Sequence, residues 1–64
     1  MSKDYETHQI ISILMKEARH CMDHEHFEDA VLKLQRCLQL EDELKDRAAI
    51  LDELGYCYLE IRLV

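Results

Sequence analysis

Apolar residues recur every three or four positions along most of this 64-residue chain, which is the spacing of one face of an α-helix. The first apolar stripe contains Ile10, Leu14, Ala18 and Cys21, with Ile11 and Met22 beside it. This stripe predicts a helix over about residues 9–24. Residues 1–8 have no such period, and we expect them to form a frayed N-terminal lead-in.

Two further stripes predict two more helices. The second stripe, which predicts a helix over about 27–41, contains Phe27, Ala30, Val31, Leu34, Cys37 and Leu38. The third, which predicts a helix over about 46–62, contains Ile50, Leu51, Leu54, Cys57, Tyr58 and Ile61. Asp46 stands where an N-cap residue is expected. The short polar connections at 23–26 and 41–46 favour antiparallel neighbours. The predicted fold is all-α, with three antiparallel helices in one domain over 9–64.

Composition supports this fold class and narrows the kinds of partner. The chain is 48% apolar and 34% charged and has no proline, which is typical of amphipathic helices and not of an all-β fold. The net charge of −6 argues against nucleic acid, because phosphate binding depends on clustered Lys and Arg. No apolar run reaches the ~20 residues of a membrane span, and the start lacks a signal-peptide pattern. We expect a soluble, cytoplasmic protein with no membrane insertion.

The cysteine pattern agrees with a reducing compartment. Cys21, Cys37 and Cys57 are odd in number, widely spaced and without a Cys-x-x-Cys pair. Neither a disulfide framework nor a zinc finger is therefore indicated. We expect three reduced cysteines that act as small core residues.

Two motifs carry a family resemblance. They are Phe27-Glu-Asp-Ala30-Val31-x-x-Leu34 and, further along the chain, Leu51-x-x-Leu54-Gly55-x-x-Tyr58. Together they resemble the tetratricopeptide repeat, a helix-turn-helix unit of about 34 residues. The resemblance covers about 11–62, or one and a half repeats. It implies that Gly55, the single glycine, lies where the third helix packs closely on its predecessor.

The resemblance also implies a function, that of a protein-interaction scaffold or adaptor. In this family the first helix of each unit lines a concave surface, and the partner-binding residues predicted here are Met15, Arg19, Met22, Tyr56 and Leu59. Met adapts to varied shapes, and Tyr and Arg are enriched at binding hot spots. The expected ligand is a peptide or helix of a partner protein. An alternative is the microtubule-interacting and trafficking domain, a three-helix bundle that binds helical peptides.

A second hypothesis is a structural or self-association element. Each repeat of a helical array needs a neighbour to cover its apolar face, and this chain has only one and a half repeats. The surface expected to remain open, and to form a homo-oligomer interface, contains Ile50, Cys57, Ile61 and Val64.

Catalysis is not expected. His20 and His24 are four residues apart on the first predicted helix, which makes them a weak candidate pair for a metal ion, but histidines at the end of a helix are usually solvated. Cys21 is next to His20 in sequence, yet consecutive helical residues point in different directions and do not form an acid–base pair. The sequence therefore predicts no enzyme, no cofactor and no functional metal site.

Overall fold

Three α-helices make up the chain in the computed structural model, which describes residues 2–63 and the side chains of 5–63. Helix α1 spans Ser2–Asp23, α2 spans Phe27–Leu40 and α3 spans Leu44–Leu63. The described residues contain no strand, so the all-α prediction of three helices is confirmed. None of the helices between Ser2 and Leu63 combines the length and the apolar character that crossing a bilayer requires.

Two helix starts differ from the predictions. Helix α1 begins at Ser2, not near residue 9, so the expected lead-in is wrong for residues 2–8; Met1 lies outside the described residues. The amide of Gln9 donates to the Tyr5 hydroxyl at 3.0 Å, one turn apart, inside this early segment. Asp46 lies in the first turn of α3 and is not its N-cap. Its carboxylate still favours the positive end of the helix dipole.

The turn between α1 and α2 uses a left-handed residue that is not glycine. Glu25 has φ of 62°, a conformation in which glycine is preferred at the end of a helix. Two backbone bonds close the turn: the Glu25 amide donates to Met22 at 3.0 Å, and the His26 amide donates to Cys21 at 2.7 Å. Because these carbonyls have no helical partner otherwise, the motif ends α1 cleanly and reverses the chain.

The connection between α2 and α3 is held by one arginine. Arg47 Nη1 donates to the carbonyl oxygen of Leu38 at 2.7 Å and to that of Glu41 at 2.9 Å. Both acceptors lie at the end of α2, where carbonyls lack helical partners. Glu41, almost fully buried, accepts the Glu43 amide at 3.1 Å through Oε2. Arg47 therefore ties the first turn of α3 to the last turn of α2.

The core lies where α2 packs between α1 and α3. Helix α2 contacts both neighbours extensively, whereas the described parts of α1 and α3 contact each other only slightly. The buried apolar residues are Ile11, Ala18, Ala30, Val31, Leu34, Cys37, Ile50, Leu54 and Cys57. The three cysteines are free thiols, and two of them belong to this core. Each helix contributes its own stripe to one common core.

Three residues of the predicted stripes are exposed. Ile10, Leu51 and Tyr58 are each about half exposed, whereas Ile11, Ile50 and Leu54 are buried. In α3 the apolar residues occupy more than one face, so the sequence pattern alone does not determine which face contacts α2. The stripe that is buried contains Ile50, Leu54 and Cys57.

Candidate partner-binding groove

An ion pair joins α1 to α3. Arg19 Nη2 lies 3.6 Å from Glu53 Oε2. Most of the Arg19 side chain is exposed, whereas most of the Glu53 side chain is buried. The second carboxylate oxygen of Glu53, Oε1, is buried and has no hydrogen-bond partner among the described residues. The pair thus leaves most of the Arg19 side chain open to solvent, whereas Glu53 Oε1 is closed to it.

Aromatic and thioether side chains lie around this pair. Phe27, at the start of α2, contacts Tyr56 of α3 edge to face, with ring centroids 5.9 Å apart. Tyr56 remains half exposed. Met15 and Met22, which lie four residues before and three residues after Arg19 on α1, are half-buried and pack against the core. Methionine and aromatic side chains beside an exposed cation are the types enriched at protein interfaces.

The structure brings together four of the five predicted partner-binding residues. Arg19 pairs with Glu53 of α3, and Tyr56 contacts Phe27 of α2. Met15 and Met22 lie on the same side of α1 as Arg19. Leu59 is half exposed on α3, three residues beyond Tyr56, and therefore extends the same helix surface. Sequence reasoning missed the pairing of Arg19 with Glu53. A carboxylate ligand would have to compete with Glu53 for this guanidinium.

The predicted oligomer interface is wrong in two of its four residues. Ile50 is 3% exposed and Cys57 is fully buried, and both belong to the core. Ile61 is half-buried against that core, and Val64 lies outside the described residues. The reason is that the buried stripe of α3 packs on α2, and a different stripe faces outward.

The interior thiols are poor nucleophiles. Burial and the nearby Glu53 carboxylate raise the pKa of Cys37, and the same two causes in the same order raise the pKa of Cys57. The Cys37 thiol donates a weak hydrogen bond to the Ile11 carbonyl at 3.9 Å, which joins α2 to α1. Since the thiolate is the reactive form, both groups are kept in their inert, packing form.

Three of the four histidines form an exposed cluster around the end of α1. The rings of His20 and His24 have centroids 4.4 Å apart, and those of His24 and His26 are 6.4 Å apart. Nowhere among the described residues do three or more His, Cys, Asp or Glu side chains form a group that could hold a metal ion. His20 and His24 thus remain a two-residue candidate with no third ligand in place.

Comparison with known proteins does not place the chain in a family. No protein-family model, no curated protein and no solved structure matches it. The resemblance to the tetratricopeptide repeat therefore stays a prediction. Of its second motif, Leu54 is buried, whereas Leu51, Gly55 and Tyr58 are exposed.

Proposed function

We propose that this protein is an interaction module that binds a peptide or helix of a partner protein in the groove between α1 and α3. The observation that carries the proposal is the largely exposed Arg19 side chain, which Glu53 holds in place on the side of α1 that also carries Met15 and Met22. A carbonyl of a peptide backbone can accept a hydrogen bond from the exposed Arg19 guanidinium while the ion pair with Glu53 stays in place.

Apolar contacts would supply the rest of the affinity. Tyr56 is rigid, half exposed and held against Phe27, so it offers a pre-ordered surface. Met15 and Met22 have flexible side chains that adapt to different ligand shapes. The proposed ligand is therefore a segment with apolar side chains on one face and accessible backbone groups beside them.

A displayed library of random peptides tests the proposal. Peptides selected on the wild-type chain should bind the Arg19→Glu variant at least tenfold more weakly, because the donor is lost and two carboxylates then repel each other. Arg36→Glu is the matched control, because it makes the same change of charge on α2. Arg36 is exposed there and donates a hydrogen bond to Gln39 at 3.5 Å. This variant should bind the same peptides with unchanged affinity.

A second pair of variants tests the apolar part of the groove. Tyr56→Ser should weaken the same peptides, whereas Tyr5→Ser, which removes an exposed tyrosine from the N-terminal part of α1, should not. Circular dichroism checks that each variant stays helical. If each control variant weakens peptide binding as much as its matched groove variant does, this groove is not the binding site. The same conclusion follows if the wild-type chain selects no peptides.

A further inference from the structure

An open hollow lies at the start of α2, beside the last turn of α3. It has a volume of about 400 Å³ and is lined by Glu25, His26, Phe27, Glu28, Asp29 and Ile61. We call this site the acidic hollow. Tyr56, which belongs to the proposed groove, contacts Phe27 with ring centroids 5.9 Å apart. The acidic hollow therefore adjoins the groove at the start of α2.

Two of the lining residues give the acidic hollow an apolar surface. Phe27 and Ile61 are half-buried, and both pack against the core, so the parts of them that remain accessible are held in place. The T-shaped contact with Tyr56 also fixes the Phe27 ring. Such a surface favours the methylene groups of a long side chain, because their contact with it removes apolar area from water.

Three exposed carboxylates belong to the same hollow. Glu25 lies in the turn before α2, and Glu28 and Asp29 lie in the first turn of that helix. Within the described part of the chain, no Lys or Arg forms an ion pair with any of the three, and Arg62, which follows Ile61, does not line the hollow. The dipole of α2 offsets only roughly half a unit of this negative charge. The acidic hollow therefore attracts a cation.

The arrangement suits an organic cation better than a bare metal ion. A metal ion needs several ligands that converge on one point, and among the side chains of 5–63 no group of three or more His, Cys, Asp or Glu is placed to hold one. The carboxylates lie instead around an apolar surface, which matches a charge at the end of an apolar stem. Lys and Arg side chains have this form. The net charge of −6 also favours the approach of a basic partner.

We propose that the acidic hollow holds a Lys or Arg side chain of the peptide that binds in the groove, an inference that rests on the proposed function. The stem of this side chain contacts Phe27 and Ile61, and its cationic group lies among the carboxylates of Glu25, Glu28 and Asp29. Charge-assisted hydrogen bonds to these carboxylates then orient the peptide. The partner segment thus combines an apolar face with a basic residue at the end that lies nearest the start of α2.

Peptides selected from the random library on the wild-type chain test this assignment. We expect them to carry Lys or Arg at a fixed distance from their apolar residues. In a synthetic copy, norleucine at this position keeps an apolar stem and removes the charge, and it should weaken binding about fivefold. A double variant of the chain, Glu28→Gln with Asp29→Asn, should weaken the parent peptide by a similar factor. The norleucine peptide should bind this variant and the wild type equally well.

A second double variant is the matched control. Asp42→Asn with Glu43→Gln removes the same amount of charge from exposed carboxylates at the opposite end of α2, and it should bind the parent peptide as the wild type does. Circular dichroism checks that both double variants stay helical. Equal losses on the two double variants would show only a general attraction to an acidic chain and would overturn the inference.

The remaining outcomes separate this inference from the proposed function. Peptides that depend on Arg19 and Tyr56 but carry no fixed basic residue overturn the acidic hollow as a binding site and leave the groove in place. A norleucine effect of undiminished size on the Glu28→Gln, Asp29→Asn variant does the same, because the basic residue then lies elsewhere. If no peptide is selected, or if binding does not depend on Arg19 and Tyr56, both proposals are overturned.

Discussion

Arg47 provides the sharpest test of how the third helix is held. Its guanidinium donates to Leu38 at 2.7 Å and to Glu41 at 2.9 Å, and the site is partly buried. Hydrogen bonds that involve a charged group contribute about 1.5–3 kcal/mol each. Because solvent can replace part of each bond here, we expect Arg47→Ala to lower the free energy of unfolding by ~1.5–3 kcal/mol in total. The total free energy of unfolding of a domain of this size is about 3–10 kcal/mol, so this loss is a large part of it.

Urea unfolding followed by circular dichroism at 222 nm measures this loss. At low micromolar protein concentration, Arg47→Ala should lower the urea concentration at the unfolding midpoint. It should leave the slope of the free energy of unfolding against urea concentration unchanged, and Tm should fall by roughly 6–20 °C. Arg47→Lys should recover only part of the loss, because one ammonium group lacks the planar donors of the guanidinium. Arg36→Ala, which removes a single exposed bond of 3.5 Å, should stay within about 0.5 kcal/mol of the wild type. An Arg47→Ala variant as stable as Arg36→Ala would refute the bridging role.

Four further results are expected. Glu25→Gly should raise the free energy of unfolding by about 0.5–1 kcal/mol, because glycine adopts a φ of 62° without strain; a loss in urea unfolding would contradict this. Gly55→Ala should add ~1 kcal/mol to the stability of the monomer, measured at low micromolar concentration, because the new methyl group meets no neighbour and alanine favours the helix. Iodoacetamide at neutral pH should label half-exposed Cys21 well before Cys37 and Cys57, as peptide mapping would show; equal rates would contradict their burial. Finally, the raised pKa of Cys37 and of Cys57 means that these thiols keep their protons more tightly in the folded than in the unfolded chain. Their contribution to the free energy of unfolding should therefore be constant near neutral pH and fall above about pH 9. Cys57→Ala should make this fall with pH less steep.

The sequence predicts the helices well because each has an apolar period that backbone geometry turns into a face. It misses the first turns of α1, since residues 2–8 have no apolar face to reveal a helix. The sequence pattern also predicts that Leu51 and Tyr58 belong to the buried stripe of α3, whereas both are about half exposed. Helix α3 has apolar residues on two faces, and periodicity cannot say which face contacts α2.

The candidate groove was predictable only in part. The resemblance to the tetratricopeptide repeat predicted Arg19 and Tyr56 on a binding surface. In the structure Arg19 pairs with Glu53 of α3, and Tyr56 contacts Phe27 of α2. The pairing of Arg19 with Glu53 was not predictable, because it depends on the relative rotation of two helices that are not adjacent in sequence. The same holds for Arg47, whose acceptors are backbone carbonyls and leave no signature in the side-chain pattern.

Ala18 in α1 and Gly55 in α3 are small residues at corresponding positions of the predicted repeat pattern, but one is buried and the other is exposed. Ala18 has the equivalent small-residue position in the first helix, and it is fully buried together with Ala30 in the core that α1 and α2 share. Gly55 has the same kind of position in α3, but no described helix lies against it, so the predicted close packing on the preceding helix is wrong. A glycine inside a helix costs about 1 kcal/mol relative to alanine, and within the described chain no contact offsets that cost. Close approach of another helix would offset that cost.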